Sequence, residues 1–370
     1  MPVHHSRAWF ALALLVALMV PGVAVAETTR PAPIGQDPFR PGHTYRGDFP
    51  DPTVIYTQGK YYAYSTTTAH LNLPVLVSSD ARTWTATGPT KRLRAGLGPD
   101  ALPKLPTWAW HDAHGLGTVW APSVAHWDGR YVVAYAVRKW GHAHKMCIST
   151  AVSSSPRGPF VDHTTKPLVC PYNRGAIDPM LYHENGHNYL LYKTEDISIG
   201  RPTRIWIRRV THSGRATTAD PPHRLLTANQ PWEERTVEGP GMITYAGKRY
   251  LFYSAGGWGN KKYAIGYALC ASVTGPCKRV QQPATNPGGT PTYPPFLKSG
   301  NGLVAPGGAT PFLDRHGRLR LAYHAWDKGA AHYPKSIKCR TSVHGCGQRR
   351  LHVARLGLGA DGALAIRVLG

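Results

Sequence analysis

The chain has 370 residues, with 43 Lys and Arg against 20 Asp and Glu, a net charge of +23, 39 Gly and 33 Pro. Punctuation this dense by Gly and Pro excludes long helices, and after the first 26 residues no stretch is apolar enough to cross a bilayer. The charge admits a nucleic-acid partner, but the basic residues are scattered, so an anionic polysaccharide matrix or plain solubility charge accounts for it better.

Residues 1–26 read as a secretory leader. Arg7 is the positive end, Ala8 to Val20 the short apolar stretch, and Ala24-Val25-Ala26 the small-residue cleavage site. An extracellular protein is expected, with no membrane attachment once the leader is removed. Residues 27–45 are a Pro-rich, extended lead-in, and 46–370 form one domain. Six cysteines suit an oxidising exterior. Pairing in sequence order (Cys147 with Cys170, Cys270 with Cys277, Cys339 with Cys346) is one of many connectivities.

From residue 52 onward one unit is written five times: PTVIYTQGKYYAYST, PSVAHWDGRYVVAYA, PMLYHENGHNYLLYK, PGMITYAGKRYLFYS and TPFLDRHGRLRLAYH. Aligned on Gly59, Gly129, Gly186, Gly247 and Gly317, they place Pro52, Pro122, Pro179, Pro240 and Thr310 seven residues earlier. Four carry a Tyr six residues later: Tyr135, Tyr192, Tyr253 and Tyr323. Each is a β-hairpin, a Gly turn between runs of β-branched and aromatic residues. The glycines recur every 57 to 70 residues, room for four short strands and loops, which is one propeller blade. The fold expected is all-β, a single five-bladed β-propeller, with Arg350 to Leu356 and the Asp361-Gly362 turn supplying strands that close the ring.

Acidic residues recur in one register of this repeat. Asp51 and Asp178 precede the fixed Pro in blades 1 and 3, and Glu238 lies two before it in blade 4; blades 2 and 5 carry Ala121 and Ala309 at the Asp position. Pro biases its predecessor toward extended backbone, suiting the start of an innermost strand. Innermost strands converge on the axis, so the three acids should meet at one mouth of the ring. Converging carboxylates are what glycosidic cleavage needs: one protonated to give a proton to the leaving oxygen, one ionised to activate water, the third tuning the donor by like charge.

The stretches Phe49-Pro-Asp-Pro, Val119-Trp-Ala-Pro-Ser-Val124, Ile177-Asp-Pro, Val237-Glu-Gly-Pro, Leu251-Phe-Tyr-Ser254, Tyr263-Ala-Ile-Gly-Tyr-Ala268 and Tyr323-His-Ala-Trp326 resemble glycoside hydrolase family 43. The resemblance runs from about residue 45 to the C-terminus. It implies inversion at the anomeric carbon, with Asp51 as general base, Glu238 as general acid, and Asp178 orienting the acid and raising its pKa. Acid and base in such a site stand roughly 6.5–9.5 Å apart. The implied substrates are α-L-arabinofuranosides first, with β-xylosides or galactans as alternatives. A monomeric enzyme acting on polysaccharide, without nucleic-acid partner, is expected; a propeller that binds carbohydrate without cleaving it is the rival reading. Many members carry a His in a Pro-Gly-His context at the start of blade 5. Here Gly308 stands in its place, so no metal is expected, neither a central calcium nor any other cofactor.

Trp120 and Trp258 adjoin the acidic motifs and are expected to contact substrate. Trp108, with Trp110, is expected in the pocket wall, and Lys193 and His324 near the axis. Two letter patterns mislead. His183-Glu-Asn-Gly-His187 fits a zinc-protease pattern that requires a helix, whereas Asn185-Gly186 is a hairpin turn. Gly357-Leu-Gly-Ala-Asp-Gly362 fits a dinucleotide fingerprint with no helix to follow it.

Overall fold

Each repeat forms the hairpin its sequence dictates, and each hairpin begins a blade. The computed structural model describes residues 47–68, 70–86, 100–214, 220–280, 293–300, 302–326, 331–333, 348–360 and 362–367. The predicted leader and lead-in, and the Cys339–Cys346 pair, lie outside these residues. Blade 1 holds β1 (Thr53–Thr57), β2 (Lys60–Tyr64), β3 (Val75–Ser78) and β4 (Thr85–Ala86). Blade 2 holds β5 (Val119–Trp127), β6 (Arg130–Arg138) and β7 (Met146–Ser153). Blade 3 holds β8 (Ala176–Glu184), β9 (His187–Thr194), β10 (Arg204–Val210) and β11 (His223–Thr227). Blade 4 holds β12 (Val237–Tyr245), β13 (Lys248–Ala255), β14 (Ala264–Cys270) and β15 (Cys277–Arg279). Blade 5 holds β16 (Val304–Leu313), β17 (Leu319–Trp326), β18 (Arg349–Leu358) and β19 (Leu364–Arg367). All pairings are antiparallel and follow chain order.

The first strands form the inner ring: β1 touches β5, β5 touches β8, β8 touches β12, β12 touches β16, and β16 returns to β1. The ring is therefore a closed five-bladed β-propeller. Five apolar clusters fill the gaps between successive blades, the last joining Val54, Tyr61 and Leu76 of blade 1 to Phe312, Ala322 and Val353 of blade 5. The repeated tyrosines Tyr135, Tyr192, Tyr253 and Tyr323 are buried in these clusters. A sheet with both faces covered must be apolar on both, and stacking buries what one hairpin alone would expose. The C-terminal strands β18 and β19 are the outer half of blade 5. Among the described residues two disulfides are present, Cys147–Cys170 and Cys270–Cys277.

Two details of the repeat differ from the sequence reading. The residue before the fixed Pro is not extended: Asp51, Ala121 and Asp178 have φ of +52°, +42° and +54°, and Gly239 and Gly308 have +54° and +59°. Pairing shows why. In blades 2 to 5 two residues of the inner strand bulge out, as between Trp120 and Ser123 or between Glu238 and Gly241. A bulge re-aims side chains and increases local twist, and Asp tolerates the left-handed region better than most residues. Second, pairing places Gly308-Ala309 in blade 5 level with Asp51-Pro52, one residue earlier than alignment on Gly317 implied. The β16–β17 connection spans residues 314–318, whereas the other four blades turn in two residues.

The strained backbone is held by the neighbouring blade. Asp51 N–H donates to Nδ1 of His324 at 3.1 Å, Ala121 N–H to Oγ1 of Thr66 at 2.8 Å, and Gly308 N–H to Oγ of Ser254 at 2.9 Å. In each case the acceptor sits on or just beyond the second strand of the preceding blade. Left-handed non-Gly residues cost about 1–3 kcal/mol and persist where the surroundings over-determine them, as they do here.

Candidate active site

Asp51 is set at the inner rim by this bulge. Thr66 Oγ1 donates to its Oδ2 at 2.6 Å, and Arg349 Nη1 lies 3.2 Å from Oδ1 and 3.4 Å from Oδ2. Burial alone would raise the carboxyl pKa. The Arg349 guanidinium, acting together with the His324 and Thr66 contacts, outweighs it and holds Asp51 well below the usual carboxylate range. His324 is fully buried and burial keeps it neutral. Its Nδ1 accepts the Asp51 N–H, so the imidazole proton is on Nε2 and the 3.3 Å contact from Nδ1 to Oδ1 is not a hydrogen bond. His324 thus orients the backbone of Asp51 from behind.

Arg349 is itself caged. Its guanidinium carbon lies 5.2 Å from the Trp258 ring centre, 5.8 Å from Trp326 and 5.5 Å from Tyr333, within cation–π range. Its Nε donates to Tyr333 OH at 3.0 Å, Tyr333 donates to Asp48 Oδ2 at 3.0 Å, and Arg349 N–H donates to Asp48 Oδ1 at 2.8 Å.

Glu238 comes from the start of β12 and Asp178 from β8, on adjacent blades. Gly239 N–H donates to Asp178 Oδ2 at 2.8 Å, tying the two segments together. Glu238 accepts Tyr263 OH on Oε1 at 2.8 Å and Lys193 Nζ on Oε2 at 2.9 Å. The same ammonium reaches Glu195 Oε1 at 2.8 Å. Burial first, then the negative charge of Glu238, pushes the Asp178 carboxyl up to about 8, so it is protonated at neutral pH.

Asp51, Asp178 and Glu238 line one cavity of about 700 Å³, together with Thr66, Lys193, Glu195, Tyr263 and Arg349. That volume lies within the usual range of small-molecule sites. Of the residues singled out from sequence, Trp120 and Trp258 line it from opposite sides, 40% and 46% exposed. Lys193 also lines it, through its buried ammonium. Three others are not brought to the cavity, Trp110 among them, whose ring lies under the Arg138 guanidinium. His324 stands behind Asp51, and Trp108 packs against the blade 1–2 core with its Nε1–H on Thr164 Oγ1 at 3.0 Å. Sequence reasoning missed Arg349, Tyr263, Thr66 and Glu195. Tyr263 opens a segment that carried the family resemblance, the one signal available.

The axis does not suit a histidine-held cation. A Cβ on Gly308 would stand 2.8 Å from His324 Nδ1 and 2.9 Å from Asp51 Oδ1, so no side chain fits at the position the resemblance marks. Among the described residues no group of three or more His, Cys, Asp or Glu is arranged to hold a metal ion. The zinc-protease letters His183 to His187 span the β8–β9 turn, and Glu184 there pairs with Arg249.

Comparison with known proteins agrees with this geometry. The profile of the family described as "Glycosyl hydrolases family 43" matches residues 44–341. The chain is 26% identical to a "Probable arabinan endo-1,5-alpha-L-arabinosidase B" of Aspergillus fumigatus, covering 80% of this chain and 83% of that one. It is also 26% identical to the "Extracellular endo-alpha-(1->5)-L-arabinanase 1" of Bacillus subtilis, covering 75% and 81%. A thermostable family-43 glycoside hydrolase of known crystal structure shares the fold, with TM-score 0.65, 23% identity, and 92% and 96% of the two chains covered.

Proposed function

This chain belongs to glycoside hydrolase family 43, and from that premise we propose that it hydrolyses α-L-arabinofuranosidic bonds of arabinan-type polysaccharide, with inversion. The observation that carries the reading is three carboxylates from three blades on one cavity, one held ionised by Arg349 and one held protonated by burial and a neighbouring charge. Water enters between Asp51 and the anomeric carbon. Asp51 takes one proton as the water oxygen forms its bond to that carbon, the glycosidic C–O bond breaks on the opposite face, and Glu238, once it has taken over the one proton that the Asp178–Glu238 pair holds, gives it to the leaving oxygen. Asp178 orients Glu238 through the Gly239 N–H. Lys193 steadies Glu238 when it is anionic and keeps Glu195 as partner when Glu238 takes up a proton. Trp120 and Trp258 supply apolar faces for the sugar rings.

Arabinan is favoured over xylan by the names of the curated relatives. Those names also favour internal cleavage of the chain over release of single residues from its ends. Secretion is supported by two disulfides and by the extracellular Bacillus relative. The test is product analysis on linear 1,5-arabinan, arabinoxylan and xylo-oligosaccharides. Arabino-oligosaccharides from the first substrate alone are expected. Arabinose alone would make the enzyme exo-acting, xylose would transfer it to xylosides, and no product from any of them would refute the reading.

A further inference from the structure

The surface beside the cavity carries aromatic and basic groups that the hydrolytic site does not use. Trp120 lies on the cavity wall and pairs with Ala136 across β5 and β6. By strand alternation Arg138 and Trp140 follow on the same face. Trp140 is four residues beyond Ala136, or about 13 Å at the rise of a strand. The ladder continues that far: Trp110 N–H donates to Arg138 O, and Trp140 N–H to Trp108 O. Arg138 lies flat on Trp110, its guanidinium carbon 3.4 Å from the ring centre. Trp140 is 55% exposed. Tyr172, 98% exposed, lies beneath Lys145, whose ammonium donates to Tyr172 O at 2.7 Å.

The charge of this rim is one-sided. From Gly129 to Val161 the chain contains no acidic residue, while Arg138, Lys139 and Lys145 bracket Trp140. Among the described residues none of these three is paired with a carboxylate. The nearby Asp112 turns its carboxylate to the N–H groups of His114 and Leu116, and Asp162 turns its own to Tyr135 and Ser149. Large exposed rings mark binding surfaces. Half-buried cations beside them select an occupant that offers both apolar ring faces and fixed negative charges.

We propose that this rim of blade 2 binds uronate-bearing polysaccharide, the acidic chain to which a neutral glycan substrate would be attached, in continuity with the cavity at Trp120. The proposal takes the attached substrate from the function proposed above. The platform itself stands on its own residues and binds whether or not the cavity cleaves. It also gives part of the +23 charge a use.

The test is binding of polygalacturonate, which has no arabinofuranosyl group, to the full chain, to Trp140→Ala and to Arg138→Ala. Turnover of linear 1,5-arabinan and the melting temperature are measured on the same proteins. Wild type is expected to bind polygalacturonate at about 50 mM salt and to release it as salt rises. Trp140→Ala should weaken binding about tenfold and Arg138→Ala several-fold, with arabinan turnover and melting unchanged. Equal binding by all three proteins would overturn the proposal. So would polyglutamate binding as tightly as polygalacturonate and indifferent to Trp140→Ala, since charge alone would then be sufficient. Absence of any product from linear 1,5-arabinan with wild type, with binding intact, would count against the hydrolytic reading and leave the platform standing.

Discussion

Replacing Arg349 by Gln removes the cation that keeps Asp51 ionised. Arg349 Nη1 lies 3.2 Å from Asp51 Oδ1. With the charge centres about 4 Å apart and an effective dielectric near 20, the attraction is about 4 kcal/mol, equivalent to about three pKa units. Asp51 is buried, and burial is the largest influence on it, acting to raise its pKa. Without Arg349 that influence is opposed only by the weaker contacts of His324 and Thr66. The base must be ionised to act, so activity should fall away on the acid side at a pH about two to three units higher than in wild type, allowing for some water entering the vacated cage. The assay is kcat/KM for linear 1,5-arabinan against pH, with melting curves to show that the fold persists. Arg349→Lys keeps the charge and should keep most of the wild-type acid limb while losing the bidentate contact. An acid limb in the same place in all three proteins would refute the reasoning.

Asp178 should set a stability difference of opposite sign. Its folded pKa is raised to about 8 from an ordinary value of 3.8, so its contribution is fully favourable below the ordinary value and is lost as pH rises through about 8. Asp178→Asn should therefore melt like wild type at pH 4 and several degrees higher at pH 9, as measured by calorimetry at both. Gly308→Ala combines a left-handed residue, about 1–2 kcal/mol, with a Cβ 2.9 Å from Asp51 Oδ1. Turnover should drop by about 10²-fold through displacement of the base, alongside a lower melting temperature. Cys147 and Cys170 close a loop across 23 residues, and Cys270 and Cys277 one across 7. Chain entropy assigns about 3.5 and about 2.5 kcal/mol to them. The Cys147→Ser/Cys170→Ser pair should thus lower the denaturation midpoint more than Cys270→Ser/Cys277→Ser.

The blades were legible because one hairpin is repeated, and the repeat exposes a register that a single Asp-Pro would not. That register brought Asp51, Asp178 and Glu238 together before any coordinates. Backbone direction at those residues was not legible. The bias imposed by Pro is a local preference, and hydrogen bonds from Thr66 and His324 on neighbouring blades override it. Arg349 was missed because it reaches Asp51 from the start of β18, almost the whole chain away, outside the repeated hairpin. Trp108 was misplaced for the converse reason. Its nearness in sequence to the blade 2 motif says nothing of where its side chain points, and its indole is held by Thr164 on the far side of β7.

The central claim is the division of labour between Asp51 and Glu238, and leaving-group dependence tests it most directly. The measurement is hydrolysis of arabinan and of 2,4-dinitrophenyl α-L-arabinofuranoside by wild type, Glu238→Gln and Asp51→Asn. A dinitrophenolate needs no proton to depart, so Glu238→Gln should lose about 10³-fold on arabinan and less than about tenfold on the activated substrate. Asp51→Asn should lose heavily on both. Equal losses by Glu238→Gln on the two substrates would contradict its role as the acid.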